Sequence, residues 1–211
     1  MILFTRTLTV LGNPRETGAW ARKMAKLVTE KTGKETALWL GLSGTATGTH
    51  IFSAFYENMA EFATATGMLM ADEQYLDGAT EARQYLAGPP EDRHVEITHT
   101  AGGEYRRPEL GGVVQLTTAT PALGKLGAAI AWGVQITELV SEVVGQPVFF
   151  GHSLAGPFGE LAWIGASADA GAWDRTQEAL TKDHRYLASL DEGTPNFEVG
   201  SGRVLLARRV A

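Results

Sequence analysis

Apolar and polar positions alternate loosely over residues 2–10, a period of two that predicts a strand. The pattern changes after Gly12-Asn13-Pro14, where Asn13 reads as a helix N-cap and Pro14 as a first-turn residue. Over residues 16–32, Trp20, Met24, Leu27 and Val28 fall on one helical stripe, and Gly33 supplies the stop. Residues 36–43 and 49–56 read as strands joined by the small, polar turn Gly44-Thr45-Ala46-Thr47-Gly48. Residues 59–86 read as helix, broken near Leu76-Asp77-Gly78, and residues 94–100 as a closing strand.

The same order then recurs. Strands are expected at residues 112–120, 147–153, 160–166 and 203–210, with helices at 124–144 and 171–189. Individual residues recur as well. Trp20, Leu27, Val28, Glu30 and Gly33 reappear 112 positions on as Trp132, Leu139, Val140, Glu142 and Gly145. Leu69, Asp72, Tyr75 and Leu76 reappear 111 positions on as Leu180, Asp183, Tyr186 and Leu187. Gly41 and Ser43 match Gly151 and Ser153 at 110 positions. An internal repeat of this kind dictates the architecture. It divides the chain into a first unit at 1–100, a linker at 101–111 and a second unit at 112–211.

Each unit runs β-α-β-β-α-β, the ferredoxin-like order, so the fold class is α+β. Such a unit carries its helices on one sheet face and leaves the other bare, and packing two bare faces together buries both. Along the first strand Leu3, Thr5 and Thr7 share one face, and Phe4, Arg6 and Leu8 the other. Their expected counterparts are Val113, Gln115 and Thr117 against Val114, Leu116 and Thr118.

With 44% hydrophobic and 20% charged residues, the 211-residue chain has a globular composition. Its formal net charge of −6 argues against nucleic acid as a partner. The lack of cysteine removes disulfides, thiolate metal sites and a Cys nucleophile. Arg6 and the threonines interrupt any signal-peptide core, and no apolar run is long enough to cross a membrane, so a cytoplasmic protein is expected.

Gly151-His152-Ser153-Leu154-Ala155-Gly156 is similar to the G-x-S-x-G nucleophile elbow. However, Ala155 holds the fifth position and Gly156-Pro157 blocks the helix that must follow. The string reads as a strand end and a turn. His152 is expected across the hairpin from Glu160, where the carboxylate could orient the imidazole for proton transfer; an ordinary surface pair is the alternative. The first unit has Leu42 and His50 at the matching sites, so the histidine changes strands. Arg6, matched to Leu116 on an apolar face, must snorkel, pair with a carboxylate or bind an anion. The recurring Asp72 and Asp183, with Tyr75 and Tyr186, read as packing contacts. Trp39, Phe52, Phe149 and Trp163 could line a pocket for a flat aromatic ligand, whereas Trp20 and Trp132 read as core. His94 and Glu96 share a strand face that His99 does not, which makes no metal set. There is no phosphate loop or dinucleotide fingerprint.

In element order and in these repeated residues, the whole chain resembles the dimeric α+β barrel superfamily, in a tandem form with both halves on one polypeptide. The resemblance implies an α+β barrel with a small-molecule pocket between sheet and helices in one or both halves. It implies an enzyme acting on a hydrophobic, aromatic, polyketide-like molecule, either a cofactor-independent monooxygenase or a cyclase/isomerase. His152 or His50 would be the general base, and Arg6 would steady the resulting enolate. The alternatives are a non-catalytic ligand-binding or interaction protein of the same fold, and a haem-binding member using one of five histidines. No resident cofactor or metal is expected beyond that haem alternative. The expected partner is the small molecule, with no membrane association, and the chain is expected as a monomer or homodimer.

Overall fold

Local cap chemistry sets the helices where the pattern puts them. In the computed structural model, which describes residues 1–104 and 106–211, the Asn13 side chain accepts from the Arg15 amide at 3.0 Å and starts α1, Pro14–Thr32. Gly33 ends it at φ 69, and Gly145 ends the repeat's equivalent helix at φ 65, left-handed positions that glycine occupies without strain. Tyr105, inside the predicted linker, lies outside the described residues.

The chain runs β1 (Ile2–Thr9), α1, β2 (Ala37–Ser43), β3 (Thr49–Tyr56), α2 (Met59–Met70), α3 (Glu73–Ala82) and β4 (Glu91–Ala101). The second unit runs β5 (Val113–Ala119), α4 (Leu126–Val144), β6 (Val148–Ala155), β7 (Leu161–Ser167), α5 (Ala170–Lys182), α6 (His184–Gly193) and β8 (Arg203–Arg209). Among the described residues no helix is long and apolar enough to cross a membrane.

Two helical boundaries differ from expectation. The first unit's second helical stretch breaks at Asp72, not near Gly78, and the single helix expected at 171–189 is divided at Asp183. Both aspartates are N-caps: Asp72 accepts from the Tyr75 amide at 2.9 Å, and Asp183 from the Arg185 and Tyr186 amides at 2.8 and 3.3 Å. Their recurrence is therefore structural. Gly78 lies inside α3, where a Cβ would run into Met24, so it marks close packing instead of a break. The bond made by the repeated tryptophans recurs too. Trp20 Nε1 donates to the Gly78 carbonyl at 3.0 Å, and Trp132 Nε1 to the Ser189 carbonyl at 2.8 Å.

The eight strands close a single antiparallel barrel in the order β1-β3-β2-β8-β5-β7-β6-β4, with β4 returning to β1. The halves are joined where β2 pairs with β8 and β4 with β6. The face-to-face packing expected from the bare sheet faces is thus a continuous sheet closed on itself, which leaves no edge strand among the described residues.

The face assignment of β5 is shifted by one residue from expectation. Leu3, Thr5, Thr7 and Thr9 face the barrel interior, together with Val114, Leu116 and Thr118. Phe4, Arg6 and Leu8 face the helices, as do Gln115 and Thr117. Arg6 lies opposite Phe52 and Thr117 opposite Trp163, so the counterpart of Arg6 is Thr117 and not Leu116. A one-residue slip at period two exchanges faces, and a repeat offset that varies between 110 and 112 leaves room for such a slip.

Candidate active site

Each half encloses a cavity between its sheet and its helices. In the first half β1 contributes Phe4 and Arg6, β3 contributes Phe52 and Tyr56, and β4 contributes Asp92 and His94. Trp20 of α1, Phe62 of α2 and Tyr75 of α3 close over them, around a volume of about 420 Å³. Alternation places the charged residues here. Arg6 and Asp92 are opposed across β1 and β4, and Phe4 and His94 are the next opposed pair on the same face.

Arg6 and Asp92 form a two-bond fork, Nε to Oδ1 and Nη2 to Oδ2, each 2.7 Å. The remaining Arg6 nitrogen, Nη1, donates to the Tyr75 hydroxyl at 3.3 Å. The bond to Asp92 raises the Arg6 pKa further, so the guanidinium is charged at every working pH. Its cationic edge and the Tyr75 hydroxyl sit together on one wall.

His94 is 7% exposed, and neither ring nitrogen has a hydrogen-bond partner among the described residues. Phe62 meets the ring edge-to-face at a centroid distance of 4.4 Å, and Phe4 packs at 5.1 Å. Burial lowers the pKa of His94, and the Arg6 charge pushes the same way against an opposing Asp92. The ring is therefore neutral near pH 7, offering one basic nitrogen and one N–H. Burial likewise raises the pKa of Tyr56 in the same wall, keeping its phenol protonated.

The second-half cavity is larger, about 510 Å³, and chemically different. Thr117 stands where the first half has Arg6, Gln115 where it has Phe4, and Trp163 in the place of Phe52. Trp173 Nε1 donates to Gln115 Oε1 at 2.8 Å. Among the described residues lining it, only Tyr186 and Glu198 are ionisable. Groups suited to proton transfer are therefore concentrated in the first half.

The residues expected from sequence are scattered over this frame. Arg6 and Phe52 line the first-half cavity and Trp163 the second-half one. Trp39 faces the barrel interior, donating to Ser53 Oγ at 2.8 Å, and Phe149 packs there with Leu3 and Ile164. The four aromatics do not form one pocket. The expected His152–Glu160 pair does not form either. His152 lies opposite Leu161 on β7, and its Nε2 is 3.5 Å from Glu96 on β4. Glu160 instead holds Arg93 at 2.7 Å. His50 is buried, with Nδ1 3.0 Å from the Gly48 carbonyl, and burial lowers its pKa. Neither His50 nor His152 lines the first-half cavity. Ser153 continues β6 and bonds the Ala155 carbonyl, with no elbow geometry. No group of three or more possible metal ligands occurs among the described residues.

His94, Asp92 and Tyr75 are the site residues that sequence reasoning missed. The available signal was Arg6, a charge on an apolar face that required a partner. Its partner lies 86 positions away.

No family model and no curated protein matches the chain. Solved structures share its fold. A provisionally named monooxygenase from Fusobacterium nucleatum superposes with a TM-score of 0.72 at 11% identity, over 100% of this chain and 92% of its own. A provisionally named monooxygenase from Lactobacillus acidophilus gives 0.59 at 15% identity, over 99% and 93%. An anthrone oxidase-like protein gives 0.66 at 12% identity, over 100% and 91%. At these identities the likeness is one of fold.

Proposed function

We propose that this chain, folded as a tandem dimeric α+β barrel, is a cofactor-independent monooxygenase of a hydrophobic aromatic molecule, bound in the first-half cavity. The observation that carries this reading is His94, a buried imidazole with two unpartnered nitrogens, on the wall that also holds the Arg6–Tyr75 donor pair. A substrate with an acidic CH₂ beside a carbonyl suits these groups. Neutral His94 takes the proton while Arg6 and Tyr75 stabilise the enolate oxygen. The carbanion passes one electron to O₂, and the radical pair joins as a peroxide that recovers the proton from the His94 imidazolium. Loss of water then leaves a ketone, with one oxygen atom in the product and one in water. The names of the fold neighbours support an oxygenase class, and the aromatic walls support a flat substrate.

Oxygen uptake with anthrone as the probe substrate tests this reading. Consumption of one O₂ per anthrone by the wild type, reduced about 10²–10⁴-fold in His94→Ala, is expected. Turnover unchanged in His94→Ala, or equal turnover under anaerobic conditions, would overturn it. In the latter case a proton-transfer cyclisation or isomerisation becomes the better reading of the same groups.

A further inference from the structure

The barrel interior encloses a third cavity of about 420 Å³, separate from both helix-side cavities. Strand register arranges its walls in layers. Leu3 lies beside Phe55 and Val114 beside Ala207 at one end, followed by Leu116 between Ile164 and Leu205, while Thr9 lies beside Thr49 at the other end. Polarity therefore rises along the barrel axis, from an apolar floor to a belt formed by Thr5, Thr7, Thr9 and Thr118. A sealed apolar core would favour valine, which has nearly the shape of threonine without a hydroxyl to desolvate. Yet Thr118 is 4% exposed, and among the described residues the hydroxyls of all four threonines lack a protein hydrogen-bond partner. Their bonding capacity is directed into the cavity.

Toward the mouth charged side chains enter the wall, Arg93 beside Thr5 and Glu91 beside Thr7 across β1 and β4, and the β2–β3 turn packs on β8. Gly44, at φ 72, lets the β2–β3 turn lie against the start of β8, where a Cβ would strike the Val204 carbonyl. Arg93 is held by Glu160 at 2.7 Å, and Arg203 by the Gly200 and Gly202 carbonyls at 2.6 and 3.0 Å. Glu91 adds a negative charge to the rim.

We infer that the barrel interior is a second binding site, for a small uncharged amphiphile with an apolar ring or branched chain and one hydroxyl or carbonyl. The apolar body rests on Leu116, Ile164 and Leu205, and the polar group bonds the threonine belt. Apart from Glu91, Arg93 and Arg203 the described lining carries no ionisable side chain, so a charged group among the apolar walls would be desolvated without a partner. Because β1 sends Thr5 and Thr7 to one face and Phe4 and Arg6 to the other, this site is independent of any chemistry at His94.

Calorimetric titration with 4-tert-butylcyclohexanol tests the inference. One saturable site is expected in the wild type, weakened about tenfold or more by the shape-preserving pair Thr7→Val and Thr118→Val. Leu205→Trp should abolish it by filling the cavity, whereas Ala79→Phe, on the helix side, should leave it unchanged. If Leu205→Trp fails to fold, the threonine pair decides alone. Failure of the wild type to bind, undiminished binding in the threonine pair, or loss in Ala79→Phe would each overturn the assignment. The last result would place the ligand in the helix-side cavity.

Discussion

Arg6 and Asp92 stand directly opposite one another on β1 and β4, and their fork leaves one guanidinium nitrogen, Nη1, aimed at the Tyr75 hydroxyl. The carboxylate thus fixes the donor that the proposed chemistry uses. Arg6→Met should lower kcat for anthrone oxidation about 10²–10³-fold, the usual loss for a donor to a developing oxyanion. Arg6→Lys keeps the charge but loses the planar fork, and should recover only part of that rate. The pair is about one-third exposed, so global stability should change by no more than about 1 kcal/mol. Equal rates in all three proteins would remove Arg6 from the mechanism.

His94 sets the pH dependence. Its pKa is lowered by burial, so the neutral, basic form should persist below the ordinary histidine value of about 6.5. The acid limb of kcat/KM is expected below that value and should disappear in His94→Ala. A limb at or above the ordinary value would point to another base.

The same shift affects folding. In the unfolded chain His94 and His50 protonate at their ordinary pKa, but in the folded chain both resist protonation. Their native environment therefore favours folding fully above about pH 6.5, and this contribution is lost as pH falls from there through the lowered folded values. Urea midpoints measured from pH 8 to 5 should decline over this range. A combined His50→Gln and His94→Gln variant should decline less steeply.

Gly193 at the end of α6 packs directly on the indole of Trp132, where a Cβ would collide with a ring that cannot yield. Gly193→Ala should cost about 1–3 kcal/mol by equilibrium urea unfolding. Gly78→Ala meets the flexible end of Met24 and should cost less. The reverse ranking would show that ring packing does not govern this contact.

Asp183 accepts from two amides at the start of α6, and Arg185 beside it holds its pKa down to about 2. Asp183→Ala should lower the thermal midpoint at pH 7 more than Asp183→Asn, which keeps a capping oxygen. The advantage of the wild type over Asp183→Asn, which comes from the carboxylate charge, should shrink as pH falls from the ordinary carboxylate range through about 2, where the native carboxylate itself protonates, whereas the gap between the two variants should remain. Circular dichroism melts at pH 7 and 2 would show it.

Much of the fold was legible because its cues are local. The strand at Thr49–Tyr56 and the caps at Asn13, Gly33 and Gly145 follow from period, turn residues and left-handed glycines. The helix break at Asp72 was misplaced because Gly78 reads as a breaker in sequence, whereas in the structure it makes room for Met24 and gives its carbonyl to Trp20. The site was less legible. Five histidines are equivalent in composition, and only burial distinguishes His94, enclosed and unpartnered among the described residues, from His152, half-buried beside Glu96.

By itself the sequence determined the duplication, the β-α-β-β-α-β order of each half and the helix caps at Asn13, Gly33 and Gly145. These rest on contacts within a few residues and on a repeat visible in the letters. The tertiary structure alone decided the closure of the barrel and the face on which each strand residue lies. It also decided which aromatics and ionisable groups share a cavity. Those outcomes depend on register between strands as far apart in sequence as Arg6 and Asp92, where a slip of one residue moves every side chain to the opposite face.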